Sequence, residues 1–153
     1  RLAINGYGRI GRCFLRALQE SPVAHRLQVV AINEPAKLDS MAYLTRFDST
    51  HGRFPGTVEV DGETLLINGQ RIAVSHARTP EGVDWRALGI DLLVEASGCY
   101  GQRENLAKFI EAGCPRLRRP SSSPRRRGRH PGPSRCGQAS PYRCVSTSRR
   151  RGV

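Results

Sequence analysis

The chain opens on a short apolar run, Leu2-Ala3-Ile4, that ends at Asn5 and a glycine-rich turn. Directly after the turn, Ile10, Cys13, Phe14, Ala17 and Leu18 recur at i, i+3, i+4, i+7 and i+8, which predicts an amphipathic helix with those residues on its buried face. Residues 27–33 read as a second buried strand, and Leu38, Met41 and Ala42 suggest a short helix. Asp48-Ser49-Thr50-His51-Gly52 is a turn-rich loop. From residue 57 the pattern shortens to β segments at 57–60, 64–67 and 72–74, separated by the hairpin signals Asp61-Gly62 and Asn68-Gly69. Residues 80–88 read as irregular or as one helical turn around Trp85. A further buried strand begins at Asp91 and runs into the small-residue loop Ala96-Ser97-Gly98. Residues 104–112 then form a helix with Leu106, Phe109 and Ile110 on one face and Gly113 as its stop. Arg116-Leu117 looks like the first step into another strand, which the sequence does not continue.

Strands alternating with helices predict an α/β fold with a parallel sheet, here carrying an antiparallel β insertion over residues 57–77. Residues 1–114 are read as this domain, in an incomplete form. With later strands missing, the strand that starts at Asp91 is expected to lie near an open sheet edge.

Composition changes the picture only when divided along the chain. The net charge of +12 would suggest a polyanion partner, yet residues 1–114 hold 13 Lys and Arg against all 13 Asp and Glu. Residues 115–153 carry the remaining 12 positive charges, all arginine, and no acid. Arg, Ser, Pro and Gly fill 29 of those 39 positions, a composition that cannot bury a core, so a disordered basic tail is expected. One function for such a tail is to grip RNA or DNA phosphates without sequence preference. The other reading is a GC-rich gene read in a shifted frame after about Pro115, which accounts for arginine without lysine and for the abrupt change of character. The five cysteines form no C-x-x-C pair and no metal-ligand spacing, so a reduced cytoplasmic protein without a metal site is the simplest expectation. No apolar run approaches a membrane span.

The candidate chemistry lies in the opening turn. Gly6-x-Gly8-x-x-Gly11 between a strand and a helix has the form of a dinucleotide site: Gly6 for the tight turn, Gly8 for close approach to a pyrophosphate, Gly11 for close helix–strand packing. The second strand ends at Glu34, where an acid can accept hydrogen bonds from a ribose 2′-hydroxyl and repels a 2′-phosphate. NAD is therefore expected rather than NADP. The bland alternative is a glycine turn in an α/β protein that binds no nucleotide. His51 stands in a loop without a nucleophile nearby in sequence, and reads as a hydrogen-bonding residue rather than a base.

Four motifs in order, Ile4-Asn5-Gly6-Tyr7-Gly8-Arg9-Ile10-Gly11-Arg12, Ala31-Ile32-Asn33-Glu34, Asp48-Ser49-Thr50-His51-Gly52 and Glu95-Ala96-Ser97-Gly98, resemble the N-terminal NAD-binding domain of glyceraldehyde-3-phosphate dehydrogenases. The resemblance covers about residues 1–117. It implies a Rossmann-type sheet and a cofactor site formed by Asn5, Gly6, Gly8, Arg9, Ile10, Gly11, Glu34, Arg78, Ser97 and Gly98. Arg9 and Ile10 would present backbone N–H groups to the pyrophosphate at the helix start, Glu34 would hold the adenosine ribose, and Arg78 would lie along the adenine side. Ser97 and Gly98 would border the path toward the nicotinamide. Glu34 in place of the usual Asp, and Tyr100-Gly101 followed by Arg103-Glu104, look more like the erythrose-4-phosphate dehydrogenase branch.

Family chemistry uses a cysteine thiolate, a histidine base and hydride transfer to NAD, acting on a sugar-phosphate aldehyde within a homotetramer. The family's Ser-Cys-Thr-Thr-Asn-Cys-like segment does not occur here, so no catalytic residue is assigned. The chain is also too short for a two-domain dehydrogenase, and this piece is expected to be inactive alone. In the erythrose-4-phosphate branch the product would be 4-phosphoerythronate, a step toward pyridoxal phosphate.

Overall fold

A computed structural model describes residues 1–120. β1 (Leu2–Asn5) lies inside a seven-stranded sheet, with β2 (Val29–Asn33) on one side and β8 (Leu92–Glu95) on the other. Beyond β2 come β7 (Gln70–Ser75), β6 (Thr64–Ile67) and β5 (Val58–Asp61), and beyond β8 comes β9 (Leu117–Arg118). The pairings β7–β2, β2–β1, β1–β8 and β8–β9 are parallel, whereas β5–β6 and β6–β7 are antiparallel. The mixed α/β sheet agrees with the fold class expected from the sequence. Its antiparallel meander is not a separate layer, because β7 pairs in parallel with β2 and carries the hairpins into the main sheet. A separate pair, β3 (Phe47–Asp48) with β4 (Gly52–Arg53), closes the turn-rich loop.

Alternating side chains feed two cores. On one face Leu2, Ile4, Ile32, Leu65, Ile67 and Ile72 pack with Leu15 and Leu18 of α1 (Arg9–Gln19) and with Met41 and Ala42 of α2 (Leu38–Arg46). On the other, Ala3, Ala31 and Leu93 meet Trp85 and Phe109, the latter from α3 (Arg103–Glu111). Trp85 is fixed in direction as well as buried: its indole N–H donates to the Pro80 carbonyl at 2.8 Å. Burial of aromatic side chains of this kind contributes about 1.5–3 kcal/mol each.

Two local expectations are corrected. The buried residues of α1 are Gly11, Leu15, Arg16 and Leu18, while Ile10 is 42% exposed, Ala17 is exposed, and Cys13 and Phe14 are half-buried. Gly11 sets this rotation: a Cβ there would stand 2.3 Å from the Gly6 carbonyl oxygen, so position 11 must face the strand and positions 15 and 18 follow it. In α3, Phe109 is buried between Trp85 and Tyr100, which leaves Ile110, the next residue round the helix, 52% exposed. β8 lies one strand from the edge of the sheet, which among the described residues is the two-residue β9. β9 continues the ladder beside it, with Leu93 N–H donating to the Arg116 carbonyl at 2.8 Å, and Leu93, Val94 and Glu95 are buried. The sheet thus runs past the 114/115 boundary. The rest of the basic tail, residues 121–153, lies outside the described residues.

Candidate functional site

The four central parallel strands end together. Register places Ser75 of β7 beside Asn33 of β2, Asn33 beside Asn5 of β1, and Asn5 beside Glu95 of β8. These side chains form one hydrogen-bonded row across the strand ends. Asn5 Nδ2 donates to Glu95 Oε2 at 2.5 Å, Asn33 Nδ2 donates to Asn5 Oδ1 at 2.8 Å, and Asn33 Oδ1 accepts from Ser75 Oγ and from Ala77 N–H, each at 2.9 Å. Buried polar groups are tolerated when hydrogen-bonded, and here the row satisfies them. Glu95 is only 1% exposed; burial pushes its carboxyl above the usual range, opposed by hydrogen bonds from Ser97 and Asn5. Its other oxygen, Oε1, accepts from both Ser97 N–H and Ser97 Oγ.

On this row sits the glycine turn. Gly6 has φ +88°, and a Cβ there would come within 2.3 Å of the Ser97 backbone, so the turn after β1 rests directly against the loop after β8. Gly8 is different: it is exposed, and a Cβ would meet no atom within 4 Å. That open space lies over the start of α1, which has no side-chain cap and no acid in its first turn. Exposed Arg9 and Ile10 follow immediately. A helix start with free N–H groups, a positive dipole end and a glycine approach fits an anionic group such as a pyrophosphate.

The remaining expected residues lie in loops after the neighbouring strands. Glu34 directly follows β2, and its Oε2 accepts the Tyr7 N–H at 2.6 Å while Oε1 accepts Ala36 N–H at 3.3 Å. The acid therefore braces the glycine turn through Tyr7. Arg78 is exposed in the loop after β7, and the Tyr100 hydroxyl donates to its carbonyl at 3.4 Å, which joins that loop to the one after β8. Ser97 Oγ donates to Glu95 and accepts from Cys99 N–H, and Gly98 adopts φ +76° with open space beside it. The dinucleotide motif and these loops thus share one end of the sheet. A hollow of about 430 Å³ bounded by Arg1, Gln28, Thr64 and Arg71 lies at the opposite end of β1 and β2 and holds none of them.

His51 belongs to a different feature. Asp48 Oδ1 accepts from the backbone N–H groups of Thr50 and His51 and contacts His51 Nδ1 at 3.0 Å, so the histidine is part of a turn. Arg16 clamps the same loop from beneath, donating to the carbonyls of Thr45, His51, Gly52 and Arg53. Among the described residues no group of three or more His, Cys, Asp or Glu could hold a metal ion, and no helix is long and apolar enough to cross a membrane.

Comparison with known proteins agrees with this geometry. Residues 1–103 match the family described as glyceraldehyde 3-phosphate dehydrogenase, NAD binding domain. The chain belongs to this family. Its relatives include the glyceraldehyde-3-phosphate dehydrogenase of Pseudomonas aeruginosa, 48% identical over 113 residues, covering 74% of this chain and 34% of that protein. The Haemophilus influenzae enzyme of the same name is 44% identical over 119 residues, 76% of this chain and 34% of its own. The cytosolic enzyme of Trypanosoma brucei brucei is 40% identical over 117 residues, again 76% and 34%. The chain thus spans about a third of the length of the relatives it matches.

For a glyceraldehyde-3-phosphate dehydrogenase NAD-binding domain the cofactor is NAD. Sequence reading missed Asn33, Ser75 and Glu95 as parts of the site. A signal was present: each of the four strands exchanges its apolar residues for a polar one at its last position.

Proposed function

We propose that this chain binds NAD through Gly6, Gly8, Arg9, Ile10, Gly11 and Glu34, with Arg78, Ser97 and Gly98 on the cleft walls and Asn5 in its floor. The observation that carries this reading is the open approach at Gly8 above an uncapped helix start. NAD, when bound, supplies the hydride acceptor. In the parent enzyme it serves oxidation of a phosphorylated aldose in the cytoplasm, within a homotetramer. For the 153 residues taken alone the reading is no aldehyde turnover, supported by the lack in them of the family's Ser-Cys-Thr-Thr-Asn-Cys-like segment.

Two substrates remain in play. Glu34 and Tyr100-Gly101 with Arg103-Glu104 support erythrose 4-phosphate, giving 4-phosphoerythronate. The names of the relatives support glyceraldehyde 3-phosphate. The basic tail binds nucleic acid only non-specifically and reads best as a frame-shifted segment.

Calorimetric titration of the full chain tests the cofactor reading. NAD is expected to bind, NADP to bind more weakly, and Glu34→Ala to lose affinity. Absence of NAD binding at millimolar concentration, or equal affinity for NADP, overturns it. NADH formation with each aldehyde phosphate is expected to be nil, and turnover of either would both identify the substrate and refute the inactivity of the chain.

A further inference from the structure

We propose that Glu95 is a positioning residue of the cofactor site: its carboxylate supplies the acceptor that polarises the Glu95–Asn5–Asn33 row and so holds the loops after four strands in one arrangement. The inference rests on the NAD reading above and adds a residue to it.

Both ends of the row terminate at backbone donors that cannot reverse. Ser97 N–H points at Glu95 Oε1, at 2.8 Å, and Ala77 N–H points at Asn33 Oδ1, at 2.9 Å. Between them lie two amides, each with one acceptor and one donor end. With a donor fixed at both ends, the row closes only if one member accepts on both sides. Glu95 is that member, accepting from Ser97 with one oxygen and from Asn5 Nδ2 with the other. An amide at position 95 leaves one donor too many. Turning Asn5 over moves the clash to Asn33, and turning Asn33 moves it to Ala77 N–H, so no set of flips removes it. Glu95, Asn5 and Asn33 are 1%, 4% and 5% exposed, so solvent cannot relieve the clash, and an unsatisfied buried donor is costly.

The row matters for binding because of what hangs from it. Ser97 is the residue against which Gly6 rests, and Ala77 precedes Arg78. Loss of the double acceptor therefore displaces the glycine turn and both cleft walls together. Asn5 and Glu95 themselves are buried beneath the cleft, so they act on the cofactor through these loops.

The test is a charge transfer along the row. In Glu95→Gln the acceptor is lost. In the double variant Asn5→Asp with Glu95→Gln, the carboxylate moves one strand over: position 95 donates to position 5, which now accepts from both sides, and every bond is restored. NAD affinity of the full chain is measured by calorimetry for the wild type, both single variants and the double variant, with circular dichroism to report folding and the Ala77 amide resonance to report the far end of the row. Glu95→Gln is expected to raise Kd at least tenfold and to shift the Ala77 resonance. Asn5→Asp, which sets two carboxylates against each other, is expected to do likewise. The double variant is expected to bind NAD at least threefold more tightly than either single variant and to return the resonance to its place. Should Glu95→Gln fail to fold, recovery of folding and affinity in the double variant still supports the proposal. Wild-type affinity in Glu95→Gln overturns it, as does a double variant that fails to fold or that folds without regaining affinity. If the wild type itself binds no NAD, the functional reading falls, and the positioning role with it.

Discussion

Substituting alanine at Gly6 and at Gly8 separates folding from binding, because the two glycines serve opposite geometries. At Gly6 the added methyl would stand 2.3 Å from Ser97 N and Cα, and the obstacle is backbone, which cannot rotate away. Overpacking of this kind costs about 1–3 kcal/mol. The positive φ of +88° adds about 1–2 kcal/mol for a residue with a Cβ. The combined loss of roughly 2–5 kcal/mol corresponds to a fall in Tm on the order of 8–20 °C for a domain of this size. Gly8 has φ −69° and extended backbone, and its methyl meets nothing within 4 Å. There, reduced freedom of the unfolded chain stabilises by about 0.4–1 kcal/mol, while alanine caps a helix less well than glycine by about 0.5–1 kcal/mol. These offset, so Tm should move by no more than about 4 °C. The same methyl nevertheless stands in the approach to the helix start, and NAD affinity should fall at least tenfold, about 1.4 kcal/mol. Thermal melts followed by circular dichroism, with calorimetric NAD titration, check both halves. Unchanged NAD affinity in a folded Gly8→Ala variant would refute the pyrophosphate assignment, and a Gly6→Ala variant as stable as wild type would refute the close approach.

Arg16 is 6% exposed and donates to four backbone carbonyls at 3.0–3.4 Å while its guanidinium carbon lies 5.4 Å from the Phe54 ring centroid. Only the bond to Arg53 is short, so Arg16→Met, which keeps the stem packing, is expected to cost about 2–4 kcal/mol in urea unfolding. The carboxyl of Asp48 is held well below the usual carboxylate range by the His51 and Thr50 N–H groups and by the His51 side chain. A depressed folded pKa stabilises above the unfolded value and is lost as pH falls. Acid titration should therefore find Asp48→Asn less stable than wild type at neutral pH, with the gap closing below about pH 3.8. Truncation after Pro120 keeps β9 and is expected to leave NAD binding intact while abolishing salt-dependent retention on immobilised DNA, a loss read by binding at two salt concentrations.

Local pattern made much of this protein legible. Each of the four central parallel strands contains a short apolar run, each hairpin of the meander carries its Asp-Gly or Asn-Gly, and the glycine spacing marks the turn proposed to bind phosphate, because these features depend on residues close together in the chain. The rotation of α1 was not legible: Ile10, Cys13, Phe14, Ala17 and Leu18 form a valid helical stripe, but the carbonyl of Gly6 selects Gly11, Leu15 and Leu18 instead. The strand at Leu117 and Arg118 was legible only in part: Arg116-Leu117 reads as the first step of a strand, but two residues have no period from which its pairing with β8 could be read. What the sequence determined by itself was the order of elements and the position of the glycine turn. Tertiary structure alone decided that Asn5, Asn33, Ser75 and Glu95 form one buried row, because residues as far apart as 5 and 95 become neighbours only when parallel register aligns their strand ends.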